Sequence, residues 1–152
     1  MKAGGSRHKG HNFERQVRNI LKEAWNIELE RTPLSGGWGK MQTGGDIVGK
    51  EGFPLYIECR KHESWKLDQL FAGEGILWRW WEEVIGKAEE EEKIPILIFS
   101  RNHAPIYVMC WLLDYGRGKA LSDIKSGRVK ECFLKQDVIV ALLENFVKEY
   151  KL

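Results

Sequence analysis

The chain has 152 residues, a net charge of +2 and 43% hydrophobic against 30% charged residues, an ordinary balance for one domain with its own core. No run reaches the roughly 18 apolar residues of a membrane span, and the basic start Met1–Gly10 lacks the apolar stretch of a secretory signal. Cys59, Cys110 and Cys132 are scattered and form no CxxC pair, which argues against a disulfide framework or a zinc site and for a reduced, intracellular protein.

Residues 1–10 are Gly- and Lys-rich and read as a flexible basic arm ahead of a single domain over 11–152. A helix is expected from Asn12, as N-cap, to Trp25, with Phe13, Val17, Ile20, Leu21 and Ala24 forming one apolar stripe. A short strand over Glu28–Thr32 follows. The segment PLSGGWGKMQTGG, residues 33–45, is a glycine-rich loop. Its Gly39-Lys40 fails the phosphate-cradling pattern, because Leu34 stands where the first glycine belongs and Met41 where Ser or Thr belongs. No nucleotide cofactor is expected. Trp38 in this loop is a candidate for stacking on an exposed base.

Asp46–Val48 and Leu55–Arg60 flank the turn KEGFP and read as a β-hairpin centred on Gly52. Leu67–Ala88 is helical in pattern, with a break expected near Gly73 and Gly75. Trp78, Trp80 and Trp81 occupy neighbouring faces of that helix, so at least one is expected to meet a partner subunit. Ile94–Ser100 and Ile106–Trp111 are strand-like, as is Arg128–Leu134. Gln136–Tyr150 has the spacing of a closing amphipathic helix. The order of elements indicates an α/β fold with a central mixed sheet flanked by helices.

The hairpin carries the chemistry. With Gly52 at its centre, position 46 lies across from position 58, and directly opposed residues share a face with Cβ atoms about 5 Å apart. Two carboxylates so placed repel each other unless a cation lies between them, and a hard divalent ion suits their oxygens. Strand alternation puts Tyr56, Glu58 and Arg60 on one face and Leu55, Ile57 and Cys59 on the other. An acid with a cation two residues on is what phosphodiester hydrolysis needs: metal to activate water, positive charge for the phosphate oxygens.

GHNFER, RTPLSGG, GGDIV and YIECRK, in that order and spacing, resemble the archaeal-type Holliday junction resolvases, including viral relatives, of the PD-(D/E)XK nuclease superfamily. The resemblance covers residues 10–75. It implies a restriction-endonuclease-like fold and a structure-selective endonuclease that makes paired symmetric nicks in four-way junctions through metal-activated water. Asp46, Glu58 and the backbone carbonyl of Cys59 would hold Mg²⁺, with Mn²⁺ as a substitute. Glu14 would help to hold metal or water, and Ser35 would lie beside the scissile phosphate. Arg7, Lys9, Arg31, Lys40, Lys61 and His62 would contact DNA. The resemblance further implies a homodimer matched to a two-fold substrate, in the cytoplasm of a prokaryote or a virus-infected host cell.

The resolvase pattern expects lysine two residues after the glutamate, where this chain has Arg60. Arginine stabilises negative charge but does not accept a proton, so Arg60 is expected to act electrostatically. Lys61 points to the opposite face unless a bulge re-aims it. The alternatives are another branched-DNA or restriction-like nuclease of the superfamily, or a non-catalytic junction-binding protein.

Overall fold

The computed structural model describes residues 5–32, 45–115, 131–133, 137–150 and 152. Ser35, Trp38 and Lys40 lie outside them. Among the described residues seven strands form one mixed sheet in the order β1-β2-β3-β4-β5-β7-β6. The strands are β1 (Leu29–Arg31), β2 (Ile47–Gly49), β3 (Leu55–Lys61), β4 (Ile94–Ser100), β5 (Tyr107–Trp111), β6 (Glu131–Phe133) and β7 (Val138–Leu142). Only the β3–β4 pair is parallel among them. The segment joining those two strands holds helices α2 (Leu67–Ala72) and α3 (Ile76–Glu90), as a parallel crossover requires.

Helices cover both faces, so β3 is buried on both sides over Leu55–Cys59. On one face α1 (Gly5–Trp25) and α5 (Leu143–Glu149) bury Phe13, Val17, Leu21 and Phe146 against Leu55, Ile57 and Cys59. On the other, α3 buries Leu77, Trp80, Trp81 and Val84 against Tyr56, Leu97 and Phe99. Each such side chain contributes about 1.5–3 kcal/mol by leaving water. A charge at Val17, which is 0% exposed, would therefore undo the docking of α1.

Four sequence expectations need correction. The first helix begins at Gly5, not after an N-cap at Asn12. Residues 5–10 thus form its opening turns, because Gly10 costs only about 1 kcal/mol within an already nucleated helix. Gln136–Tyr150 is not one helix: Val138–Leu142 is a strand paired to both β5 and β6, and only Leu143–Glu149 is helical. The β-branched run in VIVAL fits a doubly buried strand better than a helix. Leu112–Tyr115 forms a short helix, α4, which the apolar spacing did not predict.

The fourth correction concerns the tryptophans. Trp80 and Trp81 are 9% and 1% exposed. Trp78 is part-buried and donates its indole N–H to the carbonyl of Leu70 at 2.8 Å. The bend at Gly73–Gly75, where both glycines have positive φ, folds α2 back to receive it. This chain itself accommodates all three rings, so none of them argues for a partner subunit. No helix among the described residues is long and apolar enough to cross a membrane.

Candidate active site

The hairpin keeps the expected register at Ile47 and Ile57, but its antiparallel ladder does not extend to Asp46 and Glu58. Ile47 pairs with Ile57 about a turn in which Phe53 N–H donates to Lys50 O at 3.0 Å and Gly52 has φ +85°. Asp46 lies one residue before β2, and three contacts fix its backbone. Its N–H donates to Ile57 O at 2.8 Å, and its carbonyl accepts from Thr32 N–H at 3.0 Å. The Thr32 hydroxyl bonds the carbonyl of the preceding Gly45. Gly45 has φ +81°, and a β-carbon there would run into the carbonyl oxygen of Ile57. The glycine before Asp46 is thus what lets the chain close onto β3.

Asp46 and Glu58 line one cavity of about 430 Å³. Glu14, Cys59, Arg60, Lys61 and His62 also border it, together with His11, Ile76 and Trp80. Asp46 Oδ2 accepts from Cys59 N–H at 2.8 Å. Burial first, then the neighbouring Glu58 charge and more weakly Glu14, push the Asp46 carboxyl up from 3.8 to about 7. The Cys59 N–H bond and Arg60 oppose that shift.

The other two acids each have an arginine. Glu14 Oε2 accepts from Arg31 Nη2 at 2.8 Å and Nε at 3.0 Å, with both side chains largely buried. Glu58, itself 8% exposed, bonds Arg60 Nη2 at 2.9 Å. Arg60 also faces Glu83 at 3.7 Å and lies 5.9 Å from the Trp80 ring centroid. Asp46 alone of the three has no cation within ion-pair distance among the described residues.

The structure places Asp46, Glu58, Cys59, Arg60, Lys61 and His62 around one cavity. Arg31 departs from expectation. It is turned onto Glu14 rather than presented to a DNA backbone, since a nearly buried guanidinium is best neutralised by a carboxylate. Glu14 reaches the cavity but spends one oxygen on Arg31. Lys9 is exposed on α1, and the Arg7 backbone is helical. Lys61 lies on the α1 side of β3, its Nζ 6.0 Å from the Phe13 ring centroid, so Arg60 and Lys61 approach the cavity from opposite faces.

Sequence reasoning missed His11 and Trp80. The i, i+3 spacing of His11 and Glu14 on one helix was a usable signal. Trp80 gave none, because its place depends on the docking of α3.

A divalent ion suits this donor set. Asp46 and Glu58 supply hard oxygens, and the half-buried Asp46 carboxylate, which has no ion-pair partner among the described residues, is a negative charge that a cation would relieve. No three His, Cys, Asp or Glu side chains among the described residues form a metal cluster by themselves. The side-chain donors at hand are thus the two carboxylates of Asp46 and Glu58, with Glu14 added only if it leaves Arg31. A larger hollow of about 930 Å³ at the far end of α1 contains the Lys22–Glu28 pair, closed at 2.9 Å, and its other acids, Glu23 and Glu51, are exposed to solvent. The site is therefore assigned by its chemistry rather than by cavity size.

Comparison with known proteins agrees with this geometry. The chain is 28% identical over 148 residues to "Protein D14" of Escherichia phage T5, covering 91% of this chain and 89% of that protein. No solved structure matches significantly. The sequence profile described as "Phage putative PDDEXK endonuclease" matches residues 5–152, and the chain belongs to that family, within the PD-(D/E)XK nuclease superfamily.

Proposed function

We propose that this protein is a Mg²⁺-dependent endonuclease that resolves four-way DNA junctions by paired symmetric nicks, working as a homodimer. Nucleases of the superfamily act on DNA and use divalent metal ions. The observation that carries the hydrolytic reading is Asp46: half-buried, anchored by Cys59 N–H, pressed by Glu58 and without an ion-pair partner among the described residues. The junction and the dimer rest on the order and spacing of GHNFER, RTPLSGG, GGDIV and YIECRK.

Asp46, Glu58 and the Cys59 carbonyl would hold the ion, which supplies Lewis-acid activation of water and neutralises phosphate charge. Arg60, stacked beside Trp80 and tied to Glu58, is placed to stabilise negative charge on the phosphate oxygens. Because it stays protonated, it does not serve as the base. Lys61 and His62 at the rim, and Lys9 on α1, would contact the DNA backbone. Ser35 and Lys40 would act from the segment before Gly45.

The test is cleavage of a labelled mobile four-way junction beside linear and flapped DNA, with and without Mg²⁺. Paired nicks on the junction alone are expected, and Glu58→Gln should abolish them while junction binding persists. Equal cutting of all three substrates would refute junction selectivity and leave a general nuclease. The Glu58–Arg60 pair favours a second reading, a junction-binding protein whose acid is already neutralised. Tight binding with no Mg²⁺-dependent product at any pH would establish that reading instead.

A further inference from the structure

Beyond the cavity, the loops that leave β3 and β4 form a second built surface. These parallel strands end side by side, with Lys61 in register with Ser100. The loops are stitched together. His62 N–H donates to Ser100 O at 3.1 Å, and the Trp65 indole N–H donates to the same oxygen at 2.9 Å. Asn102 N–H donates to Glu63 Oε1 at 2.9 Å. The Ser100 hydroxyl lies 3.0 Å from Pro105 O and 3.3 Å from Ala104 O.

Arg101 stands on this platform. Its guanidinium lies over the buried Trp65 ring, 4.6 Å from the centroid, and Nη1 donates to Trp65 O at 3.2 Å. No carboxylate lies within ion-pair distance of it among the described residues. Glu63, the acid in the adjoining loop, is engaged by Asn102 N–H. Arg31 and Arg60, by contrast, are bound to Glu14 and Glu58.

A half-buried arginine whose stem and plane are already fixed has lost much of its rotamer freedom before any ligand arrives. One of its five N–H donors is used, and the rest suit the oxygens of a phosphodiester. Exposed Lys66 and His103 add positive or donor groups nearby. His62 does so at the cavity rim, where its Nδ1 lies 3.2 Å from the Ser64 backbone nitrogen and 2.7 Å from the Ser64 hydroxyl.

Position favours the backbone of the same DNA. Lys61 and His62 border the cavity. Glu58 is in register with Leu97, so from Glu58 Arg101 is one strand spacing across (about 4.8 Å) and four residues onward (about 13 Å). A DNA strand advances about 3.4 Å per nucleotide.

We propose that Arg101, seated on Trp65, is a phosphate clamp that grips the DNA backbone about four nucleotides from the phosphate held at Asp46 and Glu58. The clamp rests on the nuclease reading for its ligand. Its test, however, is binding and needs no cleavage.

In an Asp46→Asn background, anisotropy of labelled duplex DNA is measured from 50 to 200 mM salt. Arg101→Met keeps an aliphatic stem on Trp65 and removes the charge. It should weaken binding about tenfold at low salt, equally for all sequences, and flatten the slope of log affinity against log salt by about 0.9. Arg101→Lys should restore the slope with intermediate affinity. With Asp46 present, Arg101→Met should raise KM and leave kcat unchanged.

Unchanged affinity and slope in Arg101→Met would overturn the clamp. So would equal losses in the Met and Lys variants accompanied by a lower Tm, which would mark a purely structural stack. If the wild type cuts no DNA yet Arg101→Met still flattens the slope, the clamp stands and the nuclease reading fails.

Discussion

Replacing Asp46 with asparagine should make the metal-free protein more stable at alkaline pH while removing its activity. Folding lifts the carboxyl from 3.8 to about 7, so the folded state holds this proton more tightly than the unfolded chain does. This group's contribution is therefore fully favourable below about pH 4. It falls as pH rises toward 7 and is flat above that. At 1.36 kcal/mol per pH unit the ceiling is about 4 kcal/mol. The penalty is shared with Glu58 and Glu14, which brings the expected gain to about 2 kcal/mol at pH 8.5. The substituted amide would keep an oxygen to accept Cys59 N–H, so the anchoring bond survives. Thermal unfolding in EDTA is the assay. The variant should gain about 4–8 °C in Tm at pH 8.5, less than half of that at pH 5, and nothing near pH 4. Mg²⁺ should then stabilise the wild type and not the variant. A variant less stable than wild type at pH 8.5, or a gain indifferent to pH, would refute the strain assigned to Asp46.

Glu14→Gln should cost about 2–3 kcal/mol in urea unfolding by stranding the largely buried Arg31, and adding Arg31→Met should recover most of it. Arg60→Lys should retain cleavage within about tenfold, whereas Arg60→Ala should lose more than about a hundredfold, since a charge opposite the phosphate is what the position supplies. Gly45→Ala should lower stability by more than about 2 kcal/mol and abolish cleavage, because its β-carbon meets Ile57 O in a left-handed backbone; a well-folded, active alanine variant would remove the close approach from the account.

What the sequence made legible was local and periodic. The register about Gly52 follows from a symmetric turn and an alternating strand, and both lie within a dozen or so residues of Asp46 and Glu58. The break in the long helix was legible because Gly73 and Gly75 need left-handed backbone. Long-range partnerships were not. Glu14 and Arg31 are 17 positions apart, and Trp65 and Arg101 are 36 apart, with no repeat or motif to link them. Nor was VIVAL, whose spacing also suits a helix; only its pairing with β5 and β6 decides for a strand. The arginine two residues after Glu58 was plain from the start, but its ion pair with that same glutamate depends on side-chain direction.

Asp46 adjoins a three-residue strand near the rim of the sheet, while Glu58 belongs to a seven-residue strand inside it. The two acids therefore ride on backbone of unequal tenacity, and native-state amide exchange should run fastest through β1 and β2. An ion shared between them would tie that loose margin to the rigid interior, and deuterium uptake would slow at the margin before it changed anywhere deeper.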